Sequence, residues 1–172
     1  MILRSLLSPA TKRHVESRVL QTHPQHLFRI IQDVDHYSEF LPLCWSSKVL
    51  LHDNHQRIEK MREHSFRATL TVGMPPLQET YVSHVHVIPE TLTVETKSVE
   101  SKLFDSLSSR WQLTPNKNSP NESVHVDFEV ELTVSDPFVV GLLDQLLIGV
   151  AGQQVEAFAK RCQQLPLPPD LC

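Results

Sequence analysis

Residues 124–134 impose the tightest constraint on what this chain can fold into. Val124, Val126, Phe128, Val130, Leu132 and Val134 take every second position, with His125, Asp127, Glu129, Glu131 and Thr133 between them. A strand sends successive side chains to opposite faces, so this run specifies a sheet with one apolar and one wet face. Alternation of this kind belongs to antiparallel pairing, because parallel strands buried on both faces read as continuous apolar runs. It also leaves an apolar surface that another element must cover.

That element follows at once. Asp136-Pro137 has the form of a helix start, a carboxylate to cap free amides and a proline where no donor is needed. No proline recurs before Pro166, so a helix is expected from there to about Gln164. Its first half, FVVGLLDQLLIGVAG, is apolar around most of its circumference. Its second half narrows to Val155, Phe158, Ala159 and Cys162 beside Glu156, Lys160 and Arg161.

Upstream, Val15, Ser17 and Val19 alternate with Glu16 and Arg18, which predicts a first strand turning Val15 and Val19 to the core. Pro24, then Leu27, Ile30, Ile31 and Val34, predict a short helix with one apolar stripe, and a second helical turn covers Asp35 to Leu41 before Pro42 stops it. From Ser46 to Val134 strands alternate with turn chemistry: HDNHQ at 52–56, MPP at 74–76, Pro89-Glu90 and NKNSPNE at 116–122. Phe66, Ala68, Leu70 and Val72 share one face of such a strand. The expected class is α+β in a helix-grip arrangement, a curved antiparallel sheet of about seven strands wrapped around a long C-terminal helix, with two short helices after the first strand.

Composition bounds the function. The chain has 172 residues, one domain's worth, and 16 Lys+Arg against 20 Asp+Glu give a net charge of -4. Nucleic acid rewards clustered basic surface, so no nucleic-acid partner is expected. No stretch approaches the ~20 apolar residues of a spanning helix. Cys44, Cys162 and Cys172 form no CxxC pair and support neither a zinc ribbon nor a disulfide framework. His84 and His86 share a strand face and His52 and His55 flank a turn, but no third ligand or HExxH frame accompanies them, so no metal is expected. Asp127, Glu129 and Glu131 lie on the wet face, away from the interior where a general base would be needed. No GxSxG elbow, phosphate-binding Gly-rich loop or Cys-His arrangement is present, and no catalytic residue is assigned. The first residues, MILRSLLSPATKR, are basic and free of acids, so 1–12 is read as a mitochondrial leader or a disordered end, 13–164 as the domain and 165–172 as an extended tail.

The segments DVDHYSEFLPLC at 33–44, FRATLTVG at 66–73, ETYVS at 79–83, KLFDSLSSRW at 102–111 and VDFEVEL at 126–132 resemble the coenzyme Q-binding proteins of the START-like, polyketide cyclase/dehydrase superfamily, a resemblance that spans roughly residues 13–164. It implies a nonenzymatic module that holds ubiquinone in an apolar cavity between sheet and long helix. The implied role is a lipid carrier or chaperone for respiratory electron transport and coenzyme Q biosynthesis. Implied partners are a polyprenyl quinone, the mitochondrial inner membrane touched peripherally on its matrix side, and respiratory or quinone-biosynthesis complexes. Two alternatives stay open on the same scaffold: a cyclase-type enzyme, and a ribosome-associated growth regulator like the bacterial relatives.

A polyprenyl quinone needs a greasy site with one or two polar tips. The candidate lining is Phe40, Leu41 and Pro42 at the entrance, Phe66, Leu70, Trp111 and Phe128 on the sheet, and Leu143, Leu146, Leu147 and Val150 on the helix. Trp111, Tyr37 and Tyr81 are candidate donors to a quinone oxygen. Gly141, Gly149 and Gly152 leave either close helix packing or room for a ligand. The first half of the long helix, or the segment from Phe40 to Trp45, is expected to touch the bilayer.

Overall fold

The computed structural model describes residues 8–50 and 62–172, with Glu100 and residues 142–150 described by their backbone alone. Strand β1 (Ala10–Leu20) leads into helix α1 (Pro24–Gln32) and a 3-10 helix (Val34–Glu39), then β2 (Cys44–Val49), β3 (His64–Val72), β4 (Glu79–Ile88), β5 (Thr93–Glu100), β6 (Ser106–Pro115), β7 (Val124–Val134) and helix α2 (Pro137–Gln164). The strands form one antiparallel sheet in the order β1-β7-β6-β5-β4-β3-β2. β2 to β7 are thus a meander, and β1 closes the far side against β7. α2 packs on β1, β7 and α1. The expected α+β helix-grip fold is the observed one. The turn expected at 52–56, with His52 and His55, lies outside the described residues.

Local chemistry explains the element ends. Asp136 Oδ1 accepts from the Phe138 N–H at 2.9 Å, the expected cap on α2. His23 does the same for α1, its Nδ1 accepting from the Gln25 N–H at 3.2 Å, with Pro24 at the first helical position. Gly73 turns the chain out of β3 at φ +94°, and a Cβ there would lie 2.2 Å from the Leu77 carbonyl oxygen. Only glycine fits that position.

β7 buries all six of its apolar alternates. β6 places Trp111 opposite Phe128 and Leu113 opposite Val126, so both strands offer one continuous apolar wall to α2. Phe158 of α2 meets that wall: its ring lies 4.9 Å from Trp111, 5.3 Å from Tyr37 and 5.1 Å from Phe40, edge to face in each case. Val139, Ala151, Val155 and Cys162 are the other buried apolar residues among those of the helix whose side chains are described.

The faces of β1 are the reverse of those expected. Val15 and Val19 are 54% and 53% exposed, while His14, Glu16 and Arg18 turn inward. The cause is register. Directly opposed residues of an antiparallel pair share a face, and β1 pairs Glu16 with Phe128 and Arg18 with Val126, leaving Val15 beside the wet Glu129 and Val19 beside His125. The inward charges find partners, with Arg18 donating to Glu16 at 3.2 Å and to Glu156 of α2 at 3.1 Å. Two other boundaries also differ. β1 begins at Ala10, inside the stretch read as a leader, and the tail closes in a 3-10 helix (Pro169–Leu171) whose Asp170 pairs with Arg29 of α1. Gly141 and Gly152 have nothing within 4 Å of an added Cβ, so close helix packing does not account for them.

Two substitutions check this account by urea denaturation. Phe158→Ala removes the ring that three others contact and should cost about 3–5 kcal/mol, whereas Val19→Ala on the exposed face should stay within about 0.5 kcal/mol. Gly73→Ala should lose about 2 kcal/mol or more, because alanine at that φ also meets the Leu77 carbonyl.

Candidate functional site

Between the sheet and α2 the fold encloses a cavity of about 240 Å³. Its floor is Trp111, Phe158, Val94 and Val34, where the aromatic cluster fills the space. From there it runs toward the end of the sheet where β3 turns into β4, β5 into β6, and β7 into α2. Leu41, Pro42, Leu43, Gly73, Leu77, Leu103 and Phe104 border it there, all half-buried, which marks this end as the mouth. The loop before β2 is pinned across the mouth. Leu43 sits in the left-handed region at φ 60°, and its carbonyl accepts the Gly73 N–H at 2.9 Å. Trp45 lies over the same turn, its indole N–H donating to the Gly73 carbonyl at 2.6 Å while the ring stays 61% exposed.

The expected lining residues separate into three groups. Leu41, Pro42, Leu70 and Trp111 border the cavity. Phe40, Phe66 and Phe128 sit elsewhere: Phe40 packs on Phe158 under the Arg161 guanidinium, Phe66 stacks on His64, and Phe128 lies behind Trp111 at 4.3 Å. All three fill the core or its edge. Leu143, Leu146, Leu147 and Val150, with Gly149, lie outside the residues whose side chains are described. The wall also holds residues not named from the sequence: Cys44, Glu79, Ser83, Thr96, Ser109, Ala151 and Gln154. Their signal was present as alternation, since residues 79, 81, 83 and 85 share one face of β4 and 107, 109 and 111 one face of β6. It went unread because serine and glutamate do not look like a lipid site.

The polar groups on the wall are neutral donors and acceptors, with one exception. The Tyr37 hydroxyl donates to the Ile31 carbonyl and is spent. The Tyr81 phenol is 9% exposed and makes no hydrogen bond among the described residues. Burial pushes its pKa upward, so it remains a protonated donor. The indole N–H of Trp111 likewise has no partner among the described residues. Burial raises Cys44 and pushes Cys162 up to about 11, so both are thiols at neutral pH and neither is poised as a nucleophile. Glu79 is the exception, a carboxylate near the mouth whose Oε1 accepts the Lys102 N–H at 2.9 Å.

Among the described residues no group of three or more His, Cys, Asp or Glu could hold a metal ion. His86 points to the wet face, where it meets Glu63 at 3.0 Å and Ser65 at 2.7 Å. Also among the described residues, no helix is long and apolar enough to cross a membrane. The wall therefore offers apolar surface, shape and a few neutral hydrogen-bonding groups, which is the chemistry of binding a lipid-like molecule.

The comparisons with known proteins agree with this geometry. The chain is 30% identical over 168 residues to the mitochondrial coenzyme Q-binding protein COQ10 homolog B of Xenopus laevis, covering 94% of this chain and 65% of that protein. It is 28% identical to the mitochondrial coenzyme Q-binding protein of Schizosaccharomyces pombe, covering 86% of this chain and 84% of the other. It is also 28% identical to the ribosome association toxin RatA of Pseudomonas aeruginosa, covering 88% of this chain and 96% of that one. The chain spans less than two thirds of the length of the frog, slime-mould and fly relatives, at 65%, 63% and 57%. Among solved structures, an aromatase/cyclase of Streptomyces superposes with a TM-score of 0.74 at 10% identity, covering 90% of this chain and 95% of that one, a likeness of fold. Residues 20–159 match the model of the polyketide cyclase / dehydrase and lipid transport family, and the chain belongs to that family.

Proposed function

We propose that this protein binds coenzyme Q in the cavity between sheet and α2 and acts, without catalysis, as a carrier or chaperone for that lipid. The observation that carries the reading is the cavity itself, an apolar hollow of about 240 Å³ with an open end, in a chain similar to proteins named for coenzyme Q binding. Each methylene transferred from water to such a wall gains about 0.8 kcal/mol, enough to hold a prenylated ligand without a catalytic group. The named relatives are mitochondrial, and the proposed setting is the matrix side of the mitochondrial inner membrane, where a carrier would serve respiratory electron transport and coenzyme Q biosynthesis alongside their complexes. A quinone dissolved in a bilayer must be taken from it, so the mouth is the proposed point of membrane contact. Exposed apolar residues support this. Trp45, Met74 and Phe138, the last 69% exposed, stand on the segments that frame the mouth.

A second reading has one observation in its favour. The chain covers nearly all of the RatA relative, so association with ribosomes on the same fold is the alternative. Cosedimentation of the purified protein with ribosomes through a sucrose gradient would support it.

Two measurements test the main reading. Organic extraction of protein purified from quinone-containing cells should release a polyprenyl quinone in the mass spectrum; a clean extract, together with no uptake of added quinone, would overturn the assignment. Met74→Ser combined with Phe138→Ser should weaken cosedimentation with liposomes about tenfold while leaving the urea midpoint unchanged, because both side chains are exposed in the free protein. Unchanged liposome binding would move the contact away from the mouth.

A further inference from the structure

Four polar residues of the cavity wall fall in one band at middle depth, between Glu79 near the mouth and the aromatic floor. Ser83 on β4, Thr96 on β5 and Ser109 on β6 all border the hollow. Thr96 and Ser109 are directly opposed, with their hydroxyl oxygens 2.7 Å apart. Thr96 also faces Val85 of β4, so Ser83 is its diagonal neighbour, roughly 7–8 Å away by sheet geometry. A fourth group comes from the helix. Gln154 borders the cavity about one turn, roughly 6 Å, before Phe158, and Ser109 precedes Trp111 on β6 by a similar distance, roughly 7 Å. Phe158 and Trp111 touch at the floor, and both α2 and β6 start at the mouth end. Stepping back along each therefore brings Gln154 to the level of the hydroxyls.

Above and below this band the wall is largely apolar. Trp111 and Phe158 make the floor, and Leu41, Leu77, Leu103 and Phe104 make a collar at the mouth. Ser83 is 4% exposed and makes no hydrogen bond among the described residues. Its oxygen is not sealed off from the hollow it lines, so the hydroxyl is free to donate to a ligand acceptor there. The Thr96–Ser109 pair shares one hydrogen between its two oxygens, which leaves one O–H over.

We propose that this band seats the oxygen-bearing ring of the ligand, with Ser83, the Thr96–Ser109 pair and the Gln154 amide donating to ring oxygens while the prenyl tail leaves through the collar. The proposal rests on the quinone reading above and deepens it. Size supports the orientation. A dry cavity of about 150 Å³ accommodates benzene, so one of about 240 Å³ admits a substituted ring and not also a long tail. Charge supports the ligand class. No Lys, Arg or His is among the described lining residues, so none of them pairs with an anionic head and a neutral ring is preferred to a fatty acid.

The test uses the full chain with two probes, a ubiquinone bearing a single isoprene unit and a branched hydrocarbon of similar size. Ser83→Ala, the Thr96→Val plus Ser109→Ala pair, and Gln154→Leu should each weaken the quinone about tenfold and leave the hydrocarbon within about twofold. In the wild type, infrared spectra of carbonyl-labelled quinone should show the carbonyl band lowered relative to hexane solution, and the variants should return it toward the hexane position. An unshifted band in the wild type, equal losses for both probes, or a loss confined to Tyr81→Phe would overturn the seat, the last by placing the ring at the collar. If the wild type binds the quinone and none of the three variants matters, only this seat falls. If the wild type takes up no quinone, the quinone reading falls with it.

Discussion

The alternation along β7 is the constraint on which the rest depends. Its six buried apolar side chains define which way the sheet faces, and each antiparallel partner inherits that facing through the register. β6 inherits it with Trp111 and Leu113 inward, and β1 inherits it against its own composition. A strand with two valines on one face would, alone, turn them to the core. Beside β7 the choice is removed, because sliding β1 by one residue to bury Val15 and Val19 would break the eleven-residue ladder or flip it as a block. The cost is an inward row of His14, Glu16 and Arg18, and Glu156 of α2 meets Arg18 among them. The polar stripe on the second half of α2 is thus a counterpart to β1 as well as a solvated face.

That same half of α2 closes one end of the cavity. Phe158 reaches Trp111, Tyr37 and Phe40 from a single position, tying the helix, β6 and the 3-10 segment into one aromatic plug. Just above that plug, described residues facing inward are smaller. Ala151 and Gln154 on the helix, with Ser83 and Ser109 on the sheet, do not fill the gap that Phe158 and Trp111 fill below them. A filled floor and an unfilled middle therefore follow from residue volume along two facing elements, with no change in the spacing of the layers required.

The fold was legible because its signals are periodic and long. The β7 run and the Phe66–Val72 alternation repeat their period often enough to be unambiguous, the Asp136-Pro137 start and the proline-free stretch to Gln164 bound a helix, and every one corresponds to an element in the structure. The expected facing of β1 rests on five residues of alternation with two valines, a length at which its neighbour's register outweighs its own pattern. The tail was read as extended because prolines exclude an α-helix, and they do. A 3-10 turn tolerates them, and the Asp170 contact with Arg29 that holds it in place joins residues 141 apart in sequence.

The cavity wall was less legible, for a reason that reaches beyond this chain. Choosing the largest apolar residues as a lipid site selects the side chains best able to fill space, and Phe40, Phe66 and Phe128 do fill it. A hollow forms where side chains fall short of one another, so its wall is marked by small residues on the inward face of otherwise apolar strands. Ser83 between Tyr81 and Val85, and Ser109 between Leu107 and Trp111, are such positions. Each lacks the volume that its neighbours two residues away supply, and each brings a hydroxyl into a site where water is a poor guest. The missing volume and the added polarity therefore have one source. In a sequence of this class, a serine at an inward-facing strand position says more about where a hollow lies than the phenylalanines beside it.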